Sequence, residues 1–99
     1  MQLGTLIQRL QAEQDAGLAL EALGDAQLYA EVASMSANYG ESPAAYVALA
    51  ASRFANLAGD EDWLDVVAAA EREADPARAI LQRMLRWSLR RDAHEQSHR

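Results

Sequence analysis

The sequence predicts an all-α protein, and three observations indicate this fold class. Alanine and leucine, which enter helices at low free-energy cost, occur 22 and 13 times in 99 residues. Isoleucine and threonine, which favour strands, occur only twice and once. Apolar residues recur three and four positions apart, the period of an amphipathic helix. We therefore expect a compact antiparallel bundle of four to five helices, with two stacked helical hairpins as an alternative arrangement.

The first helix is expected at the start of the chain, where four apolar side chains fall at helical spacing: Leu3, Leu6, Ile7 and Leu10. Residues 15–17 contain aspartate and glycine, which favour turns, so we predict a break there. A short apolar segment should follow over residues 18–23.

Four later boundaries are marked by residue pairs that end or start helices: Gly24 with Asp25, Ser42 with Pro43, Gly59 with Asp60, and Asp75 with Pro76. Glycine adopts the left-handed conformation that ends many helices, and aspartate or serine caps exposed backbone N–H groups. Proline fits the first helical turn, where its missing N–H group has no partner to lose. Helices should therefore begin near residues 25, 43, 60 and 76.

The chain has the length of a single domain. We expect one helical domain over residues 1–91, followed by a polar tail over residues 92–99 that frays, because no apolar residue larger than alanine occurs there. Aligning Gly24 with Gly59 matches several residue types over a period of 33 to 35 residues, which is the basis of the stacked-hairpin alternative. Any two capped hairpins share such features.

Charge and composition argue against several kinds of partner. The net charge of −6 is divided into −9 over residues 1–71 and +3 over residues 72–99. An acidic body repels phosphate, so no nucleic-acid partner is expected, and we interpret Arg83, Arg86 and Arg90 on one side of the last helix as a solvated face. No apolar stretch approaches the ~20 residues of a membrane span and no secretory leader pattern is present, so we expect a cytoplasmic protein without a membrane partner.

The last helix, residues 76–91, carries more apolar surface than one buried face needs. Its apolar residues spread over roughly 200°, about twice the arc of a surface helix. Such a helix either lies at the centre of the bundle or is covered by a second chain. We favour self-association, as a homodimer or with another protein, through Leu85, Trp87 and Leu89.

Arg53 suggests an alternative function, the binding of a small anionic ligand. Helical projection places this arginine on the apolar side of its helix, where a charge needs a partner. We expect a carboxylate such as Glu31, or one of the acidic residues between positions 60 and 65, to pair with it. In the ligand-binding alternative, Arg53 receives the anion and Tyr46 and Tyr29 line the site.

A metal site is a remote alternative, because residues 94–98 form the string His-Glu-Gln-Ser-His. In zinc peptidases this spacing places two imidazoles on one helical face with the glutamate as general base. Here only one residue follows His98, so a third ligand cannot come from downstream of His94 and His98. The tail also offers no apolar surface to hold a preorganised site.

Taken together, these patterns favour a small, acidic, non-enzymatic module for protein–protein interaction or regulation. Cysteine is absent, so no thiolate nucleophile or disulfide is available. No phosphate-binding or dinucleotide-binding glycine motif occurs, and no cofactor is expected. The bias toward alanine and arginine, with no lysine, is typical of a bacterial chain.

Overall fold

The computed structural model describes the backbone of residues 3–97 and the side chains of residues 4–95. Within this part of the chain there are six helices and no strand, which confirms the all-α prediction. The helices are α1 Leu3–Leu10, α2 Glu13–Ala22, α3 Ala26–Asn38, α4 Pro43–Leu57, α5 Asp60–Arg72 and α6 Pro76–Ser97. The number exceeds the four to five helices expected, because residues 3–22 form two helices. The stacked-hairpin arrangement stays a prediction.

The break between α1 and α2 lies at residues 11–12 and not at residues 15–17 as expected. The backbone N–H groups of Gln11 and Ala12 bond to carbonyls three residues earlier, which closes a tight turn. Gly17 lies inside α2, where a Cβ atom would approach the Cβ of Ala44 to 3.1 Å. The glycine therefore allows α2 to approach α4 closely instead of ending the helix.

The four later helix starts agree with the sequence prediction, and side chains cap three of them. The Asp25 carboxylate accepts the Leu28 N–H at 3.0 Å at the start of α3. The Ser42 hydroxyl accepts the Ala45 N–H at 3.1 Å before α4, and Asp75 accepts the Arg78 N–H at 3.2 Å before α6. Such caps satisfy N–H groups that have no partner within the helix.

Two helices, α4 and α6, organise the core. Helix α4 contacts α1, α2, α3 and α6, whereas α6 contacts α3, α4 and α5. The Phe54 ring on α4 packs edge-on against Trp63 of α5 and Trp87 of α6, with ring centroids 4.9 and 5.1 Å apart. The central position of α6 therefore accounts for most of its wide apolar arc, with Leu89, described below, as the exception.

The last helix continues beyond the point where fraying was expected. Helix α6 extends from Pro76 to Ser97, and Asp92, the first residue of the expected tail, is buried. A polar contact with α4, described below, holds this turn against the core. In the described part of the chain, no helix combines the length and the apolar character needed to cross a membrane.

Candidate functional site

A buried polar cluster joins α4 to the C-terminal half of α6. The Tyr46 hydroxyl donates to the Asp92 carboxylate and lies 3.0 Å from the Ser88 hydroxyl. The Arg53 guanidinium donates from Nη1 to both carboxylate oxygens of Asp92, at 2.9 and 3.2 Å. Tyr46, Ser88 and Asp92 are buried, and the Arg53 side chain is 19% exposed.

Helical periodicity explains how the four side chains of this polar cluster meet. Tyr46 and Arg53 are seven residues apart on α4, and Ser88 and Asp92 are four residues apart on α6. Both spacings place side chains on one face of a helix. Because the two helices pack together, one pair faces the other across the contact.

Burial, together with the hydrogen bond to Asp92, raises the pKa of Tyr46 well above its usual range. Burial also raises the pKa of Tyr39, at the end of α3, with the Asp92 carboxylate as a second cause. The negative charge of Asp92 therefore favours the neutral form of two tyrosines. It is balanced by Arg53, which makes the polar cluster a compensated charge pair.

The buried polar atoms of this cluster all have hydrogen-bond partners within the chain. In the described residues, no buried side-chain nitrogen or oxygen lacks a hydrogen bond. Arg53, the residue that suggested an anion site, already has a carboxylate within the chain, although this carboxylate is neither Glu31 nor one of the acidic residues at 60–65. Sequence reasoning missed Asp92 because it was assigned to a fraying tail. Arg53 therefore has a structural explanation, because its ion pair with Asp92 fixes α6 on α4.

Tyr29, the third residue of the anion-site alternative, lies elsewhere. Its side chain is exposed on α3 and lines an open depression with residues from the end of α2, the α2–α3 connection and the start of α3: Leu20, Glu21, Gly24, Asp25 and Ala26. Neither Arg53 nor Tyr46 lines this depression. The structure therefore unites two of the three residues named for the ligand site and leaves Tyr29 in a separate depression.

The histidine pair is only partly described. His94 is exposed on the last turns of α6, whereas His98 lies outside the described residues. Among the residues whose placement is described, no three His, Cys, Asp or Glu side chains come together in a way that could hold a metal ion.

The interface expected from the sequence is corrected by the burial of its residues. Leu85 is fully buried and Trp87 is 6% exposed within the single chain. The Trp87 indole N–H donates to Asp62 of α5 at 3.2 Å, and the Arg91 guanidinium lies 5.1 Å from the ring centroid. Trp87 is thus held inside the protomer by α4 and α5, and Leu85 belongs to the buried core. Leu89 differs, since it is only half-buried.

Leu89 lines an open groove between α3 and α6 with a volume of about 770 Å³. Its floor and walls combine apolar and small side chains with a few polar ones: Gln27, Ala30, Glu31, Ser34, Met35, Arg86, Leu89, Arg90 and Ala93. We call this surface the α3–α6 groove. Sequence reasoning identified Leu89 but missed its partners on α3, because the sequence does not reveal which helix lies beside α6.

Helices α3 and α6 run in the same direction along the α3–α6 groove. Asp25, at the start of α3, accepts a hydrogen bond from Gln82 at 3.3 Å and lies 3.7 Å from the Arg86 guanidinium. Tyr39, at the end of α3, interacts with Asp92 further along α6. The hydrogen bond from the Leu28 N–H is the main cause that lowers the pKa of Asp25. Gln82 and Arg86 on α6 lower it further. These contacts fix both walls of the groove.

The charges of the groove are unequal on its two sides. Helix α6 contributes Arg86 and Arg90, and helix α3 contributes Glu31. Arg86 approaches Asp25, whereas Arg90 forms no ion pair with any residue that the structure describes. The α3–α6 groove is thus an apolar surface with a basic rim.

Comparison with protein-family models, with curated proteins and with solved structures finds no match to this chain. A fold class alone does not specify a function. Function is therefore inferred from the chemistry of the chain's own surfaces, the α3–α6 groove among them.

Proposed function

We propose that this chain is a small protein-interaction module whose binding surface is the α3–α6 groove. The observation that carries the proposal is the groove itself, in which half-buried Met35 and Leu89 lie between charged residues of two helices. An apolar floor with a polar rim is the usual anatomy of a protein-binding surface. The groove replaces the Leu85 and Trp87 surface as the site where α6 meets a partner.

The arrangement of the two helices favours a helical ligand. On α6, the groove residues Arg86, Leu89, Arg90 and Ala93 follow helical spacing, and α3 presents a similar row. Two parallel helices with small residues between them leave a channel into which the apolar face of a third helix can pack. Its polar edge would then meet the arginines of the rim.

Selection from a displayed library of amphipathic helical peptides tests this function without a known partner. Ala30 is exposed and lines the groove, so Ala30→Glu fills the groove and neutralises its rim while leaving the fold intact. We expect peptides selected on the wild-type chain to bind the Ala30→Glu variant at least about tenfold more weakly, a difference near 1.4 kcal/mol.

The matched control is Ala55→Glu, the same substitution at an exposed alanine of α4 outside the groove. This control should bind the selected peptides with wild-type affinity. If selected peptides bind wild type and Ala30→Glu equally well, or if no peptide is enriched, the groove is not a protein-binding surface and the proposed function fails.

A further inference from the structure

A second exposed apolar surface lies on α5. Leu64 is 68% exposed and Val67 is 40% exposed, and the two residues are one helical turn apart. Helical spacing places Asp60 and Glu71 on the same face and Glu61 at its edge. We call these five residues the α5 face. It combines two large apolar side chains with negative charge alone, the complement of the groove's basic rim.

We propose that the α5 face of one copy of this chain docks into the α3–α6 groove of a second copy. The inference rests on the proposed function, because it names the partner that the groove accepts. Leu64 and Val67 would contact Met35 and Leu89 across the interface, and the acidic residues of α5 would meet Arg90.

Charge complementarity selects this pairing over the two symmetric ones. A groove-on-groove dimer would bring Arg86 and Arg90 of both copies together, with only Glu31 of each copy to oppose them. A dimer of two α5 faces would place acidic residues against acidic residues. Juxtaposed like charges destabilise an interface, whereas opposite charges fix its register. Of the three pairings, only that of the α5 face with the groove joins two surfaces of opposite net charge.

The pairing uses two different surfaces, so it is a head-to-tail contact. Such contacts propagate into open chains, or into rings where the rotation closes. Two exposed apolar side chains per contact form a small interface, and small interfaces give weak, reversible association. We therefore expect the sedimentation coefficient of the wild-type chain to rise with concentration up to about 1 mM, the range in which weak contacts form.

Complementation between two defective variants tests the pairing. Leu64→Arg removes the α5 face but keeps the groove, and Ala30→Glu blocks the groove but keeps the α5 face. We expect each variant alone to sediment as a monomer and an equal mixture to form a one-to-one dimer, because each contributes one intact surface. Leu18→Arg on α2, a leucine 61% exposed, and Ala55→Glu serve as controls that should associate as wild type does.

Three outcomes would overturn the pairing: a wild-type chain that stays monomeric, a Leu64→Arg variant that associates as wild type does, or a mixture that stays monomeric although wild type associates. Circular dichroism of each variant establishes that it is folded, and Val67→Arg repeats the test of the α5 face. In all three outcomes the peptide selection described above still decides whether the groove binds protein, so failure of the pairing is distinguishable from failure of the proposed function.

Discussion

The two sides of α6 differ in what covers them. On one side, Trp87 is 6% exposed, packs edge-on against Phe54 of α4 and donates its indole N–H to Asp62 of α5. On the other side, Leu89 and Arg90 line a groove that none of the six described helices fills. The wide apolar arc of this helix therefore comprises two surfaces, one covered by neighbouring helices and one that lines the open α3–α6 groove.

The largest expected effect comes from truncating the enclosed side. Trp87→Ala removes a buried ring that packs edge-on against Phe54. We expect the free energy of unfolding, measured by urea denaturation, to fall by roughly 3 to 5 kcal/mol, as for other buried aromatic residues. Leu89→Ala on the groove side should reduce it by only about 1 kcal/mol, since less apolar area is lost. Equal losses for the two variants would contradict the distinction between the sides.

An intermediate effect is expected for the charge pair that fixes the end of α6. Asp92→Ala leaves the largely buried Arg53 guanidinium without its carboxylate. Breaking a buried ion pair in this way should lower the free energy of unfolding by about 3 kcal/mol. The matched control is Asp65→Ala, whose carboxylate lies 3.7 Å from Arg83 in an exposed pair. Exposed pairs contribute less than about 1 kcal/mol, so a similar loss in both variants would remove the structural role given to Asp92.

A smaller effect than that of Asp92→Ala is expected at neutral pH from the loss of the Tyr46 hydroxyl. Tyr46→Phe removes one donor to the Asp92 carboxylate and should lower the free energy of unfolding by about 1 to 2 kcal/mol. The raised pKa of Tyr46 adds a dependence on alkaline pH. In the unfolded chain a tyrosine ionises near pH 10, whereas the folded chain keeps Tyr46 neutral to higher pH.

It follows that the stability due to the raised pKa of Tyr46 is complete below about pH 10 and is lost as the pH rises above that value. Between pH 9 and about 11 the wild-type chain should therefore lose more stability than Tyr46→Phe does, in urea denaturation followed by circular dichroism. Parallel losses in the two proteins would show that Tyr46 ionises in the folded chain as it does in the unfolded one.

Local signals in the sequence predicted most helix starts correctly. Prediction failed for features that depend on contacts between helices far apart in the chain. The starts of α3, α4, α5 and α6 follow from capping residues, whose hydrogen bonds span three positions and are therefore legible in the sequence. The break near residue 16 was misplaced because Gly17 serves a contact with Ala44, 27 residues away. A glycine that relieves crowding and a glycine that ends a helix look the same in the sequence.

At the candidate site, too, local features were predicted and contacts between distant residues were missed. Arg53 was identified as a charge on an apolar face, but its partner Asp92 is 39 residues away and was assigned to a polar tail. Likewise, the apolar surplus of α6 was evident from its periodicity, yet which part of it would be covered was decided by the positions of α3, α4 and α5.

The amino-acid sequence by itself determined the helical class, most of the helix starts and the apolar and charged faces, because each depends on residues within a few positions of one another. The tertiary structure alone decided that Trp87 is enclosed, that Asp92 pairs with Arg53, and that α3 and α6 leave a groove between them. Burial and ion pairing depend on which helices pack together, and that choice is made by the whole core and not by any single helix.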